Sequence, residues 1–132
     1  MLKINALLTL FIVLFSGQLL AADTMKISQQ QLLSLLDAPS KQEVVVLDVR
    51  SKEEFAQGHI KGAINVSHDK ISENLASLNQ YKDKMLVVYC RSGRRAGIAE
   101  AILTNNGFSQ LRHLDGDMNG WQKANLPTVS DH

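Results

Sequence analysis

The chain has 132 residues, and 14 Lys and Arg against 13 Asp and Glu leave a formal net charge of +1. That balance gives no electrostatic reason to expect a nucleic acid or an anionic membrane as partner. A single cysteine, Cys90, excludes an internal disulfide, and the length suits one domain with a modest core.

Residues 1–22 read as a secretory signal peptide. Lys3 supplies the positive start, Ala6 to Phe15 form a short apolar core, and Gln18-Leu19-Leu20-Ala21-Ala22 offers small residues for cleavage before Asp23. An uncleaved anchor is the alternative, because Ile4 to Ala22 carries no charge and nearly spans a bilayer. The shortness of the apolar core favours cleavage. No cysteine near that region could take a lipid anchor. A single domain over 23–132, periplasmic or secreted and without membrane contact after cleavage, is the expectation.

Strands and helices then alternate. Ile27 to Leu36 carries Leu32, Leu33, Leu35 and Leu36, with Ser28 as cap, and predicts a helix broken by Asp37-Ala38-Pro39-Ser40. Val44 to Leu47 is a continuous apolar run, as in a strand covered on both faces. Ser51-Lys52-Glu53-Glu54 reads as a capping box opening a short helix that ends at Gly58. Gly62 to Val66 predicts a short strand, and Ser67 or Asp69 begins a helix carrying Ile71, Leu75 and Leu78. Met85 to Tyr89 is the second fully apolar strand. Arg94 to Asn106 predicts a helix with Ile98, Ala99, Ile102 and Leu103 inward and Gly107 as its stop. Leu111 to Leu114 is a last strand, and Met118 to Asn125 a last helix before Pro127.

Apolar strands separated by helices imply an α/β fold, with a central parallel sheet of about five strands and helices on both faces. In such sheets ligands bind beyond the carboxyl ends of the strands. Asp48-Val49-Arg50 follows one buried strand and Cys90 follows the other, so the two clusters should face one crevice. Cys90-Arg91-Ser92-Gly93-Arg94-Arg95 also leads directly into a helix. A loop of that kind aims N–H groups and the positive end of the helix at one sulfur, which favours a reactive thiolate.

At these residues the chain resembles the rhodanese domain of sulfurtransferases, over about Ile27 to Thr128. Cys90 to Arg95 resembles that family's six-residue active-site loop, and Asp48-Val49-Arg50 the motif closing its first long strand. Gly58-His59-Ile60-Lys61-Gly62-Ala63 is similar to its Gly-His-Ile-x-Gly-Ala segment, and Leu114-Asp115-Gly116-Asp117-Met118-Asn119-Gly120-Trp121 to its C-terminal Gly-Gly-x-x-x-Trp segment. Asp117 departs from the pattern by replacing the second glycine, and Asn125 stands where a helix-ending glycine is common.

The resemblance implies a sulfurtransferase with Cys90 as nucleophile and with Arg91, Ser92, Gly93, Arg94 and Arg95 forming the substrate loop. A small anionic sulfur donor such as thiosulfate would leave a persulfide on Cys90. Cyanide, a thiol or a protein acceptor would then remove the sulfur. No cofactor is implied. Arg91 and Arg94 are placed to hold the donor, whereas Arg95 folds back to brace the loop.

Asp48 and Arg50 read as supports, bracing the loop or pairing with Glu54. His59 reads as a hydrogen-bonded support, and Trp121 as core. His68, His113 and His132 show no metal spacing with one another or with Cys90. Asn65-Val66-Ser67 matches a glycosylation acceptor but falls at an expected strand end. Two other classes stay open. A cysteine-loop phosphatase needs one more loop residue than the four between Cys90 and Arg95. A non-catalytic binding or regulatory module would usually lack the cysteine.

Overall fold

The computed structural model describes residues 23–38 and 43–131. The expected signal segment and the Pro39-Ser40 break therefore lie outside the described residues. Among the described residues, five strands form one all-parallel sheet: β1 (Lys26–Ile27), β2 (Val44–Asp48), β3 (Ile64–Asn65), β4 (Met85–Tyr89) and β5 (Leu111–Leu114). Their spatial order is β1-β5-β4-β2-β3. The helices are α1 (Gln29–Asp37), α2 (Lys52–Gln57), α3 (Leu75–Leu78), α4 (Arg94–Asn105) and α5 (Asp117–Lys123).

The central strands bury both faces, as their unbroken apolar runs require. Leu47, Val49, Leu86, Val88 and Cys90 point to one side and pack with Ile71, Leu78, Ala96, Ala99 and Leu103 of α3, α4 and the segment before α3. Val46, Val87 and Tyr89 point to the other and pack with Leu32 of α1 and with Met118 and Trp121 of α5. The period-2 alternation of β4 thus runs through to Cys90 and places it on the α4 side. Trp121 is core, 1% exposed, and its indole N–H donates to the Pro127 carbonyl at 2.9 Å.

Three expectations need correction. Ile27 belongs to β1, not to the first helix: β1 pairs with β5 in the register Lys26↔His113 and Ile27↔Leu114, and Ser28 then caps α1 in a capping box with Gln31. A two-residue strand is too short to register as a period.

The helix expected from Ser67 or Asp69 is a run of turns: 3-10 segments at His68–Lys70, Ser72–Asn74 and Asn79–Tyr81 around the single turn of α3. Here Asn74 donates to the Lys70 carbonyl and Ser77 to the Asn74 carbonyl. Such side-chain bonds offer the backbone an alternative to a regular helix.

Ile98 is 38% exposed rather than inward. The inner face of α4 is set by Ala96, Ala99 and Leu103, and Glu100 is buried in its place. The expected stop at Gly107 holds, with φ at +86°.

Candidate active site

The strand order reverses between β2 and β4. The chain leaves β2 toward the β3 edge and leaves β4 toward β5, and it is beyond the carboxyl ends of such a pair that folds of this class bind their ligands. Asp48-Val49-Arg50 and the Cys90 loop sit at those two ends, and the Val49 N–H donates to the Tyr89 carbonyl at 3.0 Å. The structure brings the two expected clusters together.

Cys90 is 1% exposed and lies at the floor of its loop. The Gly93 N–H donates to its Sγ at 3.0 Å. Gly93 achieves this with φ at +118°, a left-handed conformation that glycine adopts freely. A Cβ there would lie 3.3 Å from the Asp117 carboxylate, so the loop has room for no larger residue without a shift. Arg91, Ser92 and Arg94 are exposed at the rim, and α4 begins at Arg94.

The loop is held from beneath by the start of α5. The Met118 and Asn119 N–H groups donate to the carbonyls of Cys90 and Arg91 at 3.0 and 3.1 Å. Those carbonyls are thereby turned to α5, and the Gly93 N–H is the loop amide that reaches the sulfur. Asp117 itself has φ at +53°, and Asn125 +55°. Asn and Asp tolerate that region better than other side chains, at a cost of roughly 1 kcal/mol.

Arg95 is turned away from the rim. Its guanidinium donates to both carboxylate oxygens of Glu54, at 2.7 and 3.0 Å. Glu54 also closes the capping box of α2 by accepting from Ser51. The loop is thereby tied to the first turn of α2. The Arg95 hydrogen bond, against an opposing effect of burial, brings the Glu54 carboxyl down to about 2. A depressed folded value gives stability that is present above the unfolded pKa and lost as pH falls toward 2. Both side chains touch water, so Glu54→Gln, which keeps an acceptor for Ser51, should cost about 1 kcal/mol or less near neutrality. Urea titrations of both proteins between about pH 6 and 2 should show that difference shrinking as the solution is acidified. A difference independent of pH would mean that the carboxylate charge contributes nothing.

Asp48 and Arg50 pair with each other and not with Glu54. Both are buried, and the Arg50 Nε donates to both carboxylate oxygens at 3.1 Å, with Nη2 adding 2.7 Å contacts to Asp48 and to the Gly58 carbonyl. Burial acts to lower the Arg50 pKa, but the hydrogen bond and charge of Asp48 outweigh it and raise the value. Burial, reinforced by the Asp48 carboxylate, pushes the Tyr89 hydroxyl far up. Asn65 donates to the carbonyls of Asp48 and Arg50, so its amide is engaged inside the fold. His59 lies stacked on Phe55 with centroids 3.6 Å apart, and its Nδ1 is 2.7 Å from the Phe55 carbonyl. It joins α2 to Val129 through a backbone bridge and stands as part of the scaffold.

Sequence reasoning missed one group. His113 on β5 has Nε2 3.0 Å from Asp117 Oδ2 and Nδ1 2.7 Å from Glu100 Oε2, while Asp117 Oδ1 accepts the Cys90 N–H at 3.0 Å. Hydrogen bonds to Asp117 and then Glu100, against burial, raise His113 to about 10. Both ring nitrogens face acceptors, so the ring is an imidazolium. The spacing of His113 was informative only for metals. The one visible signal was Asp117 in a place where the resembling family has glycine.

Comparison with known proteins agrees with this geometry. A family model for the rhodanese-like domain matches residues 28–124. The thiosulfate sulfurtransferase GlpE of Shewanella oneidensis is 31% identical over 99 residues, covering 75% of this chain and 93% of its own. The uncharacterized protein YibN of Escherichia coli K12 is 36% identical over 91 residues, or 68% of this chain and 64% of the relative. The chain thus spans just under two thirds of that relative's length. A rhodanese-related protein from Thermoplasma volcanium has a crystal structure that superposes with a TM-score of 0.69 at 26% identity, over 80% of this chain and 97% of the other. A parallel sheet with a cysteine loop at its switch point, and matches over most of the described residues, lead to one conclusion: the chain belongs to the rhodanese-like domain family.

Proposed function

We propose that the protein is a sulfurtransferase that carries sulfane sulfur on Cys90 and takes it from thiosulfate or a similar small anion. The observation carrying this reading is the sulfur at the loop floor, bonded by the Gly93 N–H, in a loop that also carries the exposed Arg91 and Arg94. A thiolate there attacks the outer sulfur of thiosulfate. The new S–S bond forms as the S–S bond of the donor breaks, and sulfite leaves with the electron pair. Cyanide then attacks the outer sulfur of the persulfide, giving thiocyanate and returning the thiolate. Charge balances in both steps, and neither needs a general base.

Burial of the sulfur bears on the donor. A nucleophile that is 1% exposed suits a reagent whose reactive atom is small and terminal, as in thiosulfate. Arg91 and Arg94 would bind its sulfonate oxygens. The name of GlpE points the same way for a relative that this chain nearly spans. A phosphatase would need the loop arginine to encircle a tetrahedral phosphate, but Arg95 is held by Glu54.

The test is intact-mass measurement of the purified protein after incubation with thiosulfate. The expected product carries one added sulfur atom, which cyanide removes with release of thiocyanate. A protein whose mass stays unchanged would instead be a binding module that has kept its cysteine.

A further inference from the structure

An acidic side chain beneath a thiolate has the wrong sign to stabilise it, yet Asp117 accepts the N–H of Cys90 itself. It does so from a left-handed backbone position, φ +53°, where glycine would be less strained. Strain of this kind persists where surrounding contacts over-determine it, and it is common at functional sites. The contacts are the Cys90 N–H, the His113 ring and, behind the ring, Glu100. Asp117 is 3% exposed and Glu100 5%. Burying two carboxylates side by side is costly, and the cation between them offsets that cost.

We propose that Asp117 is a positioning residue for the sulfur-carrying loop, and that the His113 imidazolium, clamped between Asp117 and Glu100, offsets the negative charge this places under Cys90. The carboxylate fixes the Cys90 peptide from one side while Met118 and Asn119 fix the following carbonyls. Gly93, whose N–H reaches the sulfur, rests against the same carboxylate and ring. Displacing Asp117 therefore moves both the cysteine peptide and the Gly93 N–H that donates to the sulfur. A recess of about 380 Å³ lined by Ser92, Gly93, Glu100, His113 and Asp117 lies beside the network, whose carboxylates stay buried. The charged groups on the His113 ring are Glu100 from α4 and Asp117 from α5, and Asp115 from the turn before α5, Asp23 ahead of β1 and Lys26 in β1 line the same recess. The inference rests on Cys90 being the nucleophile but not on the identity of the sulfur donor.

Alkylation of Cys90 by iodoacetamide measures the loop without any sulfur chemistry. Asp117→Asn keeps an oxygen for the Cys90 N–H and presents its amide to a neutral His113, so its rate should stay within about two-fold of wild type. His113→Gln leaves the carboxylate without its cation, and its rate at neutral pH should fall about ten-fold, the deficit closing as pH rises. Combining His113→Gln with Asp117→Asn removes the charge that needed offsetting and should restore most of the lost rate. That recovery is the decisive readout, because two merely structural losses would add. Asp117→Gly relieves the backbone but removes the acceptor, and it should alkylate more slowly than Asp117→Asn.

A double variant slower than either single one, or a His113→Gln profile identical to wild type, would overturn the proposal. Thermal melts identify any variant that does not fold, and the remaining variants then decide. Persulfide formation by the wild-type protein is measured separately. Failure of the sulfurtransferase reading is thus distinguishable from failure of this one.

Discussion

Cys90→Ser is expected to abolish sulfur transfer, lowering thiosulfate–cyanide turnover by more than about a thousand-fold. A serine hydroxyl stays protonated at neutral pH and can form no persulfide, although its oxygen could still accept the Gly93 N–H. The residue packs among Val88 and Ala96, so a buried hydroxyl should also cost roughly 1 kcal/mol. Cys90→Ala controls for that loss of fit and should be equally inactive. Arg91→Ala and Arg94→Ala should behave differently, raising the Michaelis constant more than they lower the turnover number. Loss of a contact made to the donor in both ground and transition states has that signature. Turnover of thiosulfate by Cys90→Ser would remove the persulfide mechanism altogether.

The second large effect is on stability. Asp48→Ala strips the buried Arg50 guanidinium of its carboxylate, leaving it the Gly58 carbonyl and the face of the Tyr89 ring 5.6 Å away. Breaking a buried pair by removing one partner costs about 3–5 kcal/mol. For a domain of this size the melting temperature should fall on the order of 10–20 °C. Removing both charges in Asp48→Ala/Arg50→Met should recover at least half of that loss, because no unpaired cation remains. Thermal unfolding of the two variants and wild type checks the ordering. A double variant no more stable than Asp48→Ala would show that the pair acts through its backbone contacts and not through its charge.

What was legible in the sequence was whatever local chemistry encodes. The runs of β2 and β4, the Ser51–Glu54 capping box and the cysteine loop all depend on residues within a few positions of one another. The partners of Glu54 and Glu100 do not. Arg95 lies 41 residues beyond Glu54, and His113 lies 13 beyond Glu100. Helical periodicity therefore assigned Ile98 to the core and could not place a buried Glu100 there. β1 escaped because a two-residue strand is defined by its neighbour β5 and not by its own pattern. Asp117 was visible as a departure from the family pattern, but its meaning depended on where the fold put His113.

The contacts made by α5 also bear on when the Cys90 loop can be completed as the chain folds. Cys90 and its loop leave the ribosome well before residues 117–119, which supply the carboxylate and two amides holding the loop from below. Until that later segment emerges and docks, the thiol sits on a strand with no finished cradle. A chain truncated before α5 would keep Cys90 at the end of β4 but lack the carboxylate and the two amides that hold its loop.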